Sequence, residues 1–147
     1  MAHTYTRNYI HLVFSAKERV QSIKKDIQPR LWAYMAGICR NHDLVCEEVG
    51  GLDDHAHLLF HLPARLALSK AVYLVKTSSS KWMKEFVSDF DWQDGYGAFS
   101  VGASNVDSVI KYIRNQGSYH KKISFQQEYI MLLKKYRVDF DPRYVFG

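Results

Sequence analysis

The order of apolar patterns along the chain predicts an α+β fold, in which helices pack against an antiparallel sheet. In four short segments, apolar residues alternate with other residues, which is typical of strands that bury one face. In the segments between and after them, apolar residues recur every three or four positions, as on the buried side of a helix. The chain has 147 residues, no repeat and no stretch rich in Pro, Gly and Ser, so we expect one domain over residues 1–147.

The predicted strands are rich in β-branched and aromatic residues. In the first of them, Ile10, Leu12 and Phe14 share one face. The pair Gly50-Gly51 predicts a turn between the second and third strands. The four strands are predicted at residues 4–14, 44–49, 55–62 and 92–101.

Helix signals separate and follow these strands. Pro29 falls in the first turn of the first helix, where a proline is tolerated. Val72 and Val75 belong to the apolar stripe of the second helix, and Asn105 with Asp107 begins the third. The helices are predicted at residues 26–41, 69–90, 105–121 and 125–136. This order is that of a ferredoxin-like fold, with the helices expected on one face of the sheet.

The composition argues against a disordered or membrane-spanning protein. Hydrophobic residues make up 47% of the chain and aromatic residues 14%, which suffices for a packed core. No apolar run approaches the ~18–20 residues of a membrane span. The first residues lack the apolar core of a secretory signal, so we expect a cytoplasmic protein with no membrane partner. Two cysteines, Cys39 and Cys46, form neither a disulfide framework nor a four-ligand zinc set.

The net charge of +5 is concentrated at the end of the chain. Residues 1–110 contain 12 Lys and Arg and 12 Asp and Glu, whereas residues 111–147 contain 8 and 3. A polyanionic partner would therefore meet the protein there. A solvated basic tail is the alternative interpretation.

The first group with chemical potential is a histidine pair on the third predicted strand. His55 and His57 share one face of this strand, while Ala56 and Leu58 face the core. The two imidazoles are about 6–7 Å apart along the strand and can converge on one ion. Asp54 is placed to orient an imidazole through its second nitrogen, as carboxylates do beside metal ligands. Two polar residues on a solvated strand face remain the alternative.

The second group lies on the third predicted helix. Tyr112 and Gln116 are four residues apart and share a helix face, which Tyr119 and His120 extend. A phenol, with an ordinary pKa near ~10, is a poor nucleophile unless a cation or a base assists it. Four basic residues surround these polar groups: Lys111, Arg114, Lys121 and Lys122. The alternative is that Tyr112 only packs in the core.

Together, the two groups predict phosphoryl transfer. Two imidazoles and one amide oxygen form a three-ligand site, whose open positions can accept a phosphate oxygen. We expect Mg²⁺ or Mn²⁺ there, with imidazole ligands favouring the binding of Mn²⁺. A tyrosine on the helix of the amide ligand could attack the phosphorus in line and form a covalent phosphotyrosine.

The order and spacing of these motifs resemble those of the small single-tyrosine HUH transposases of bacterial insertion sequences and their REP-associated relatives. The histidine pair of that family matches His55-Ala56-His57, with a smaller central residue than the bulky apolar one of the family. Its Tyr-x-x-x-Gln helix matches Tyr112 to Gln116. Segments at residues 11–14, 76–82 and 92–96 also match, so the resemblance covers roughly residues 5–130.

This resemblance implies a DNA transposase that cuts and rejoins single-stranded DNA. His55, His57 and Gln116 would bind the divalent metal. Tyr112 would attack the strand, keep the 5′ phosphate and release a 3′ hydroxyl. Tyr119, about one helical turn beyond Gln116, is the reserve candidate for the nucleophile, but a contact to DNA or to the surface of its own helix is the favoured interpretation of this residue. Family members act as homodimers in which the tyrosine helix can serve the partner's histidines, and their DNA often carries a hairpin.

Positive charge suggests where DNA phosphates would bind. We expect them at Lys111, Arg114, Lys121 and Lys122.

Two other functions remain open on the same fold. A non-catalytic or domesticated nucleic-acid binder would need no metal, and it would carry aromatic residues on an open sheet face. A hydrolase of small phosphoesters would use water in place of Tyr112.

Overall fold

The computed structural model describes residues 3–146, which form a four-stranded antiparallel sheet with helices. The strands are β1 (Tyr9–Ser15), β2 (Val45–Gly51), β3 (His55–His61) and β4 (Gly97–Val101), in the spatial order β2-β3-β1-β4. The helices are α1 (Gln28–Asn41), α2 (Leu68–Met83), α3 (Val106–Arg114), α4 (Gln116–Tyr119) and α5 (Phe125–Lys135). Short 3₁₀ turns occupy Lys17–Arg19 and Ala103–Asn105. The predicted α+β class and its ferredoxin-like strand order are confirmed.

Helices cover both faces of the sheet, which corrects the expectation of helices on one face only. α1 and α2 pack against the face that carries Leu12 and Leu58. α5 packs against Val13 on the opposite face, and α3 packs there against Leu59. β1 and β3 are central strands with apolar residues at both odd and even positions, so both of their faces must be buried. Anything on the second face, including the histidine pair, is therefore shielded from water.

The predicted turn between the second and third strands is present, but it lies at residues 52–54, because Gly50 and Gly51 both belong to β2. Gly51 pairs with Ala56 and has a positive φ of 150°. A Cβ atom on Gly51 would lie 2.2 Å from the carbonyl oxygen of His55. Only glycine permits this approach, which brings the chain back into β3 at His55.

Gly50 sets the distance between β2 and α3. A Cβ atom at this position would lie 2.8 Å from Cγ2 of Ile113 and 3.0 Å from the carbonyl oxygen of the same residue. The backbone of α3 therefore packs directly on β2. Because Tyr112 precedes Ile113, this contact also fixes where Tyr112 stands above the sheet.

The second and third predicted helices end well before their predicted limits, and the first and fourth strands begin later than predicted, at Tyr9 and Gly97. The helix predicted at residues 105–121 ends at Arg114, because Asn115 has φ −95° and ψ 20°, and the chain resumes as α4. The second helix ends at Met83, after which the chain buries Phe90 and Trp92 in the core. Trp92 donates a hydrogen bond to Ser79 Oγ, 2.9 Å away. Its backbone forms an isolated β-bridge with Ala16 and does not belong to β4.

Two further sequence expectations concern cysteines and membranes. Cys39 and Cys46 are both free thiols. Among the helices of residues 3–146, none is both long and apolar enough to cross a bilayer.

The close packing of Gly50 against α3 can be tested by adding a side-chain atom at position 50. Gly50→Ala should lower the free energy of unfolding by about 1–3 kcal/mol, because an overpacked site forces its neighbours to move. Urea denaturation measures this change. Gly102→Ala is the matched control, since nothing lies within 4 Å of a Cβ atom there. Equal effects of the two substitutions would contradict the direct packing of α3 on β2.

Candidate active site

The histidine pair lies on the covered face of the sheet. His55 and His57 are both 0% exposed, and Ala56 and Leu58 between and after them point into the core on the other side. The predicted alternation is confirmed, and the alternative of a solvated strand face is wrong. Their ring centroids are 5.0 Å apart, so the two imidazoles are direct neighbours.

A second polar group fixes the orientation of each imidazole. Nδ1 of His55 donates to Oδ1 of Asp54, 2.7 Å away, as the sequence predicted for this carboxylate. Nδ1 of His57 lies 2.8 Å from Nε2 of His11 on the adjacent strand β1. Burial and the nearby His57 lower the pKa of His11 to about 3, and burial also lowers the pKa of His57, so both rings are neutral at pH 7. The Nε2 atoms of His55 and His57 are left to face the interior of the site.

The structure brings Tyr112 and Gln116 to the histidine pair within one chain. Oε1 of Gln116 lies 2.7 Å from Nε2 of His55, and the Gln116 side chain is buried. The ring centroid of Tyr112 lies 5.7 Å from that of His57. The helix break at Asn115 does not separate the two residues, because both reach the same neighbouring carboxylate.

That carboxylate is Glu128 on α5, which the sequence analysis missed. It is 0% exposed, and its Oε1 lies 3.3 Å from Nε2 of His57 and 3.6 Å from Nε2 of His55. Its Oε2 accepts hydrogen bonds from Nε2 of Gln116, at 2.9 Å, and from the Tyr112 hydroxyl. One carboxylate therefore contacts the three predicted metal ligands and Tyr112, the first candidate nucleophile.

A signal for Glu128 is present in the sequence. It stands three residues after Phe125 and four before Leu132, inside the apolar stripe of α5. A charged residue on the buried side of a helix is rare unless it is paired. The stripe indicates burial, but it does not reveal the partner.

His120 is a further member of the cluster. Its Nδ1 donates to the carbonyl oxygen of Ile123, 2.8 Å away, so Nε2 faces Glu128 Oε1 and Gln116 Oε1, each at 3.0 Å. Partial burial opposes protonation of His120, but the hydrogen bond to Glu128 and its negative charge outweigh burial and raise the pKa.

The electrostatics place a negative charge beside a protonated phenol. Burial would raise the pKa of Glu128, but hydrogen bonds with His120 and His57 outweigh it, and the pKa falls well below its usual range. Burial and the charge of Glu128 raise the pKa of Tyr112 far above its ordinary value of 10. At neutral pH, Glu128 is therefore ionised and Tyr112 donates a hydrogen bond to it.

The cluster fits a divalent cation. One ligand atom from each of His55, His57 and Glu128 lies within 4.8 Å of the others, and all three residues are buried. Ligands that surround one cation at about 2.0–2.3 Å lie roughly 3 Å from each other. The distances within this cluster are close to that spacing, and Gln116 offers an additional amide oxygen beside His55.

The basic residues expected to contact DNA lie outside this cluster. Lys111, Lys121 and Lys122 are exposed. Arg114 is exposed as well, and it pairs with Glu48 on β2 at 3.3 Å. Lys135 on α5, which the sequence analysis did not nominate, lines the cavity next to Tyr112.

Tyr119, the second candidate nucleophile, stands next to the first. Its ring meets that of Tyr112 edge to face, with centroids 5.3 Å apart, and its hydroxyl points to Sδ of Met131 at 4.0 Å. Of the two hydroxyls, that of Tyr112 bonds to Glu128. The geometry therefore favours Tyr112.

Two solved structures have the same fold as this chain. One is a protein from Deinococcus radiodurans R1 assigned as a transposase, with a TM-score of 0.64 and 19% identity, covering 78% of this chain and 94% of that one. The other is a REP-associated tyrosine transposase bound to a REP hairpin, with a TM-score of 0.61 and 15% identity, covering 82% of this chain and 73% of that one.

Sequence comparisons place the chain in a family. The transposase for insertion sequence element IS200 of Salmonella typhimurium is 25% identical over an alignment of 124 positions, and the match covers 79% of this chain and 81% of that protein. The same transposase of Salmonella typhi matches equally well. The model of the family "Transposase IS200 like" matches residues 4–116, which include the histidine pair, Tyr112 and Gln116. The chain therefore belongs to the IS200-like transposase family.

Proposed function

We propose that this protein cuts and rejoins single-stranded DNA by metal-assisted phosphoryl transfer, with Tyr112 as the nucleophile. The observation that carries the proposal is the position of the Tyr112 hydroxyl. It donates a hydrogen bond to Glu128, whose other oxygen faces both His55 and His57. A nucleophile and a candidate metal centre are thereby joined by one carboxylate.

In this proposal, His55, His57 and Glu128 hold Mg²⁺ or Mn²⁺, with the Gln116 amide oxygen beside them. The bound ion would polarise the scissile phosphate and offset the negative charge that raises the pKa of Tyr112. Asp54 and His11 hold the imidazoles so that their Nε2 atoms stay directed at the ion.

Glu128 is also positioned to take the proton of the nucleophile. As the Tyr112 oxygen bonds to phosphorus, its proton passes to Oε2 of Glu128, which already accepts it in a hydrogen bond. The bond from phosphorus to the 3′ oxygen breaks, and this oxygen takes up a proton from water, so the departing strand ends in a 3′ hydroxyl. The 5′ phosphate stays on Tyr112 until another 3′ hydroxyl attacks it. One phosphoester replaces another at each step, so no nucleoside triphosphate is needed.

The DNA partner is inferred from relatives and charge. A solved relative was bound to a REP hairpin, and we propose that this chain also recognises single-stranded DNA with hairpin ends. The exposed Lys111, Arg114, Lys121 and Lys122 would contact its phosphates.

The assembly proposed here is a homodimer, as the family resemblance implies. A tyrosine helix that serves the partner's histidines is one arrangement in such a dimer. In this chain, Tyr112 reaches the carboxylate shared with its own histidine pair. That contact supports attack within one subunit.

Two other functions lack a supporting observation. A nucleic-acid binder that reads bases on an open sheet needs an uncovered aromatic face, whereas α3 and α5 cover this one. A hydrolase would place water at the carboxylate, where this chain places the Tyr112 hydroxyl.

Tyr112→Phe should abolish the covalent protein–DNA adduct, because the attacking oxygen is removed while the ring stays. The adduct is measured by denaturing gel electrophoresis, after incubation with Mn²⁺ and single-stranded oligonucleotides that cover the DNA flanking the gene. Tyr119→Phe is the matched control, and it should retain most of the adduct. An adduct on the Tyr112→Phe protein would refute this nucleophile.

Glu128→Gln should weaken Mn²⁺ binding by at least ~10-fold, because a buried anionic ligand becomes neutral at nearly constant shape. Calorimetric titration with Mn²⁺ measures the affinity, and circular dichroism checks the fold. Glu85→Gln, at an exposed position, is the control. If Glu128→Gln binds Mn²⁺ normally while Gln116→Ala does not, the oxygen ligand is Gln116 and not Glu128.

A further inference from the structure

A cavity of about 410 Å³ opens beside Tyr112, between α3, α4 and α5. Tyr112 and Glu128 both form part of its wall, and these two residues are joined by the hydrogen bond of the hydroxyl proposed to attack DNA. Its volume lies in the lower part of the ~300–1,000 Å³ range of small-molecule sites. The cavity is therefore large enough for one small ligand at the reacting group.

The remaining walls suit a flat aromatic ligand. Val109, Tyr119 and Met131 contribute apolar and aromatic surface, and Met131 is 56% exposed although it is apolar. Ser108 and Lys135 add a hydroxyl and a positive charge. Aromatic surface beside a cation is the combination with which proteins bind unpaired nucleobases and their phosphates.

The position of the cavity selects one of the two nucleotides at the cleaved bond. In an in-line attack, Tyr112 and the departing 3′ oxygen lie on opposite sides of phosphorus. The nucleoside that leaves therefore starts on the side away from Tyr112. The nucleoside that keeps the 5′ phosphate lies laterally and can extend beside Tyr112. Among the described residues, the cavity is lined by Tyr112 but not by His55 or Gln116.

We infer that this cavity binds the base of the nucleotide whose 5′ phosphate is transferred to Tyr112. This inference rests on the proposed function and adds a base-binding subsite to it. The subsite holds the retained end of the DNA while the phosphotyrosine waits for the next 3′ hydroxyl. Lys135 contacts the phosphate on the 3′ side of that nucleotide.

Mononucleotides test the subsite without strand cleavage. The four deoxynucleoside 5′-monophosphates and 2-deoxyribose 5-phosphate are titrated into the protein with Mn²⁺ and followed by calorimetry. At least one monophosphate should bind at least 10-fold more tightly than the base-free sugar phosphate. If all four bind like the sugar phosphate, the inference is overturned.

A charged residue introduced at the cavity wall tests whether the base binds in this cavity. Met131→Glu should abolish the tighter binding of the monophosphate relative to the sugar phosphate, because a carboxylate replaces apolar surface and repels the nucleotide. Gln127→Glu adds the same charge one turn away on α5 and suits its position in the capping box with Ser124. Gln127→Glu should leave the tighter binding of the monophosphate unchanged. Equal effects of the two variants would overturn the inference.

An abasic substrate separates this inference from the proposed function. The wild-type adduct should decrease at least 10-fold when the nucleotide immediately 3′ of the cleaved phosphate lacks its base. An undiminished adduct overturns the subsite and leaves the transferase function standing. If no DNA forms an adduct, the proposed function fails, and the mononucleotide titrations still decide whether the cavity binds a base.

Discussion

The structure depends on one buried carboxylate. Glu128 is fully enclosed, and an ionised group without partners would be strongly destabilising at such a position. Its partners come from separate elements: His57 on β3, Tyr112 on α3, Gln116 on α4 and His120 after it. Each partner offsets part of the free-energy cost of burying the charge. Through these contacts, Glu128 connects α3, α4 and α5, in the last third of the chain, to the central strand β3.

Apolar packing and polar contacts together determine the position of Tyr112. Gly50 lets α3 approach β2, and Ile113 fills the contact. The break at Asn115 then turns the chain so that Gln116 reaches His55. Apolar packing thus sets where the helix lies, and hydrogen bonds to Glu128 set where the hydroxyl points. Gly50 and α4 therefore serve the same site although they are far apart in the sequence.

Local patterns predicted much of this arrangement, since they report on neighbours along the chain. Alternation placed His55 and His57 opposite Ala56, and the four-residue spacing brought Tyr112 and Gln116 together. Glu128 escaped prediction because its contact with His57 joins residues 71 positions apart. Periodicity shows that a side chain is buried, but not what it meets. The second covered face was not predicted either, although Val13 and Leu59 are apolar residues on it. Alternation shows which residues share a face of a strand, but not that a second layer of helices covers the other face.

In the proposed mechanism, the shared carboxylate would also couple metal binding to the reactivity of Tyr112. The charge of Glu128, together with burial, raises the pKa of Tyr112 and keeps the phenol protonated. In the proposed mechanism, Oε1 of Glu128 would hold the divalent ion while Oε2 accepts the Tyr112 proton, so the ion would offset part of the negative charge beside the phenol. Cation binding therefore removes part of what holds the phenol in its unreactive form. In the proposed mechanism, Tyr112 would therefore stay unreactive toward phosphate until the divalent ion is bound.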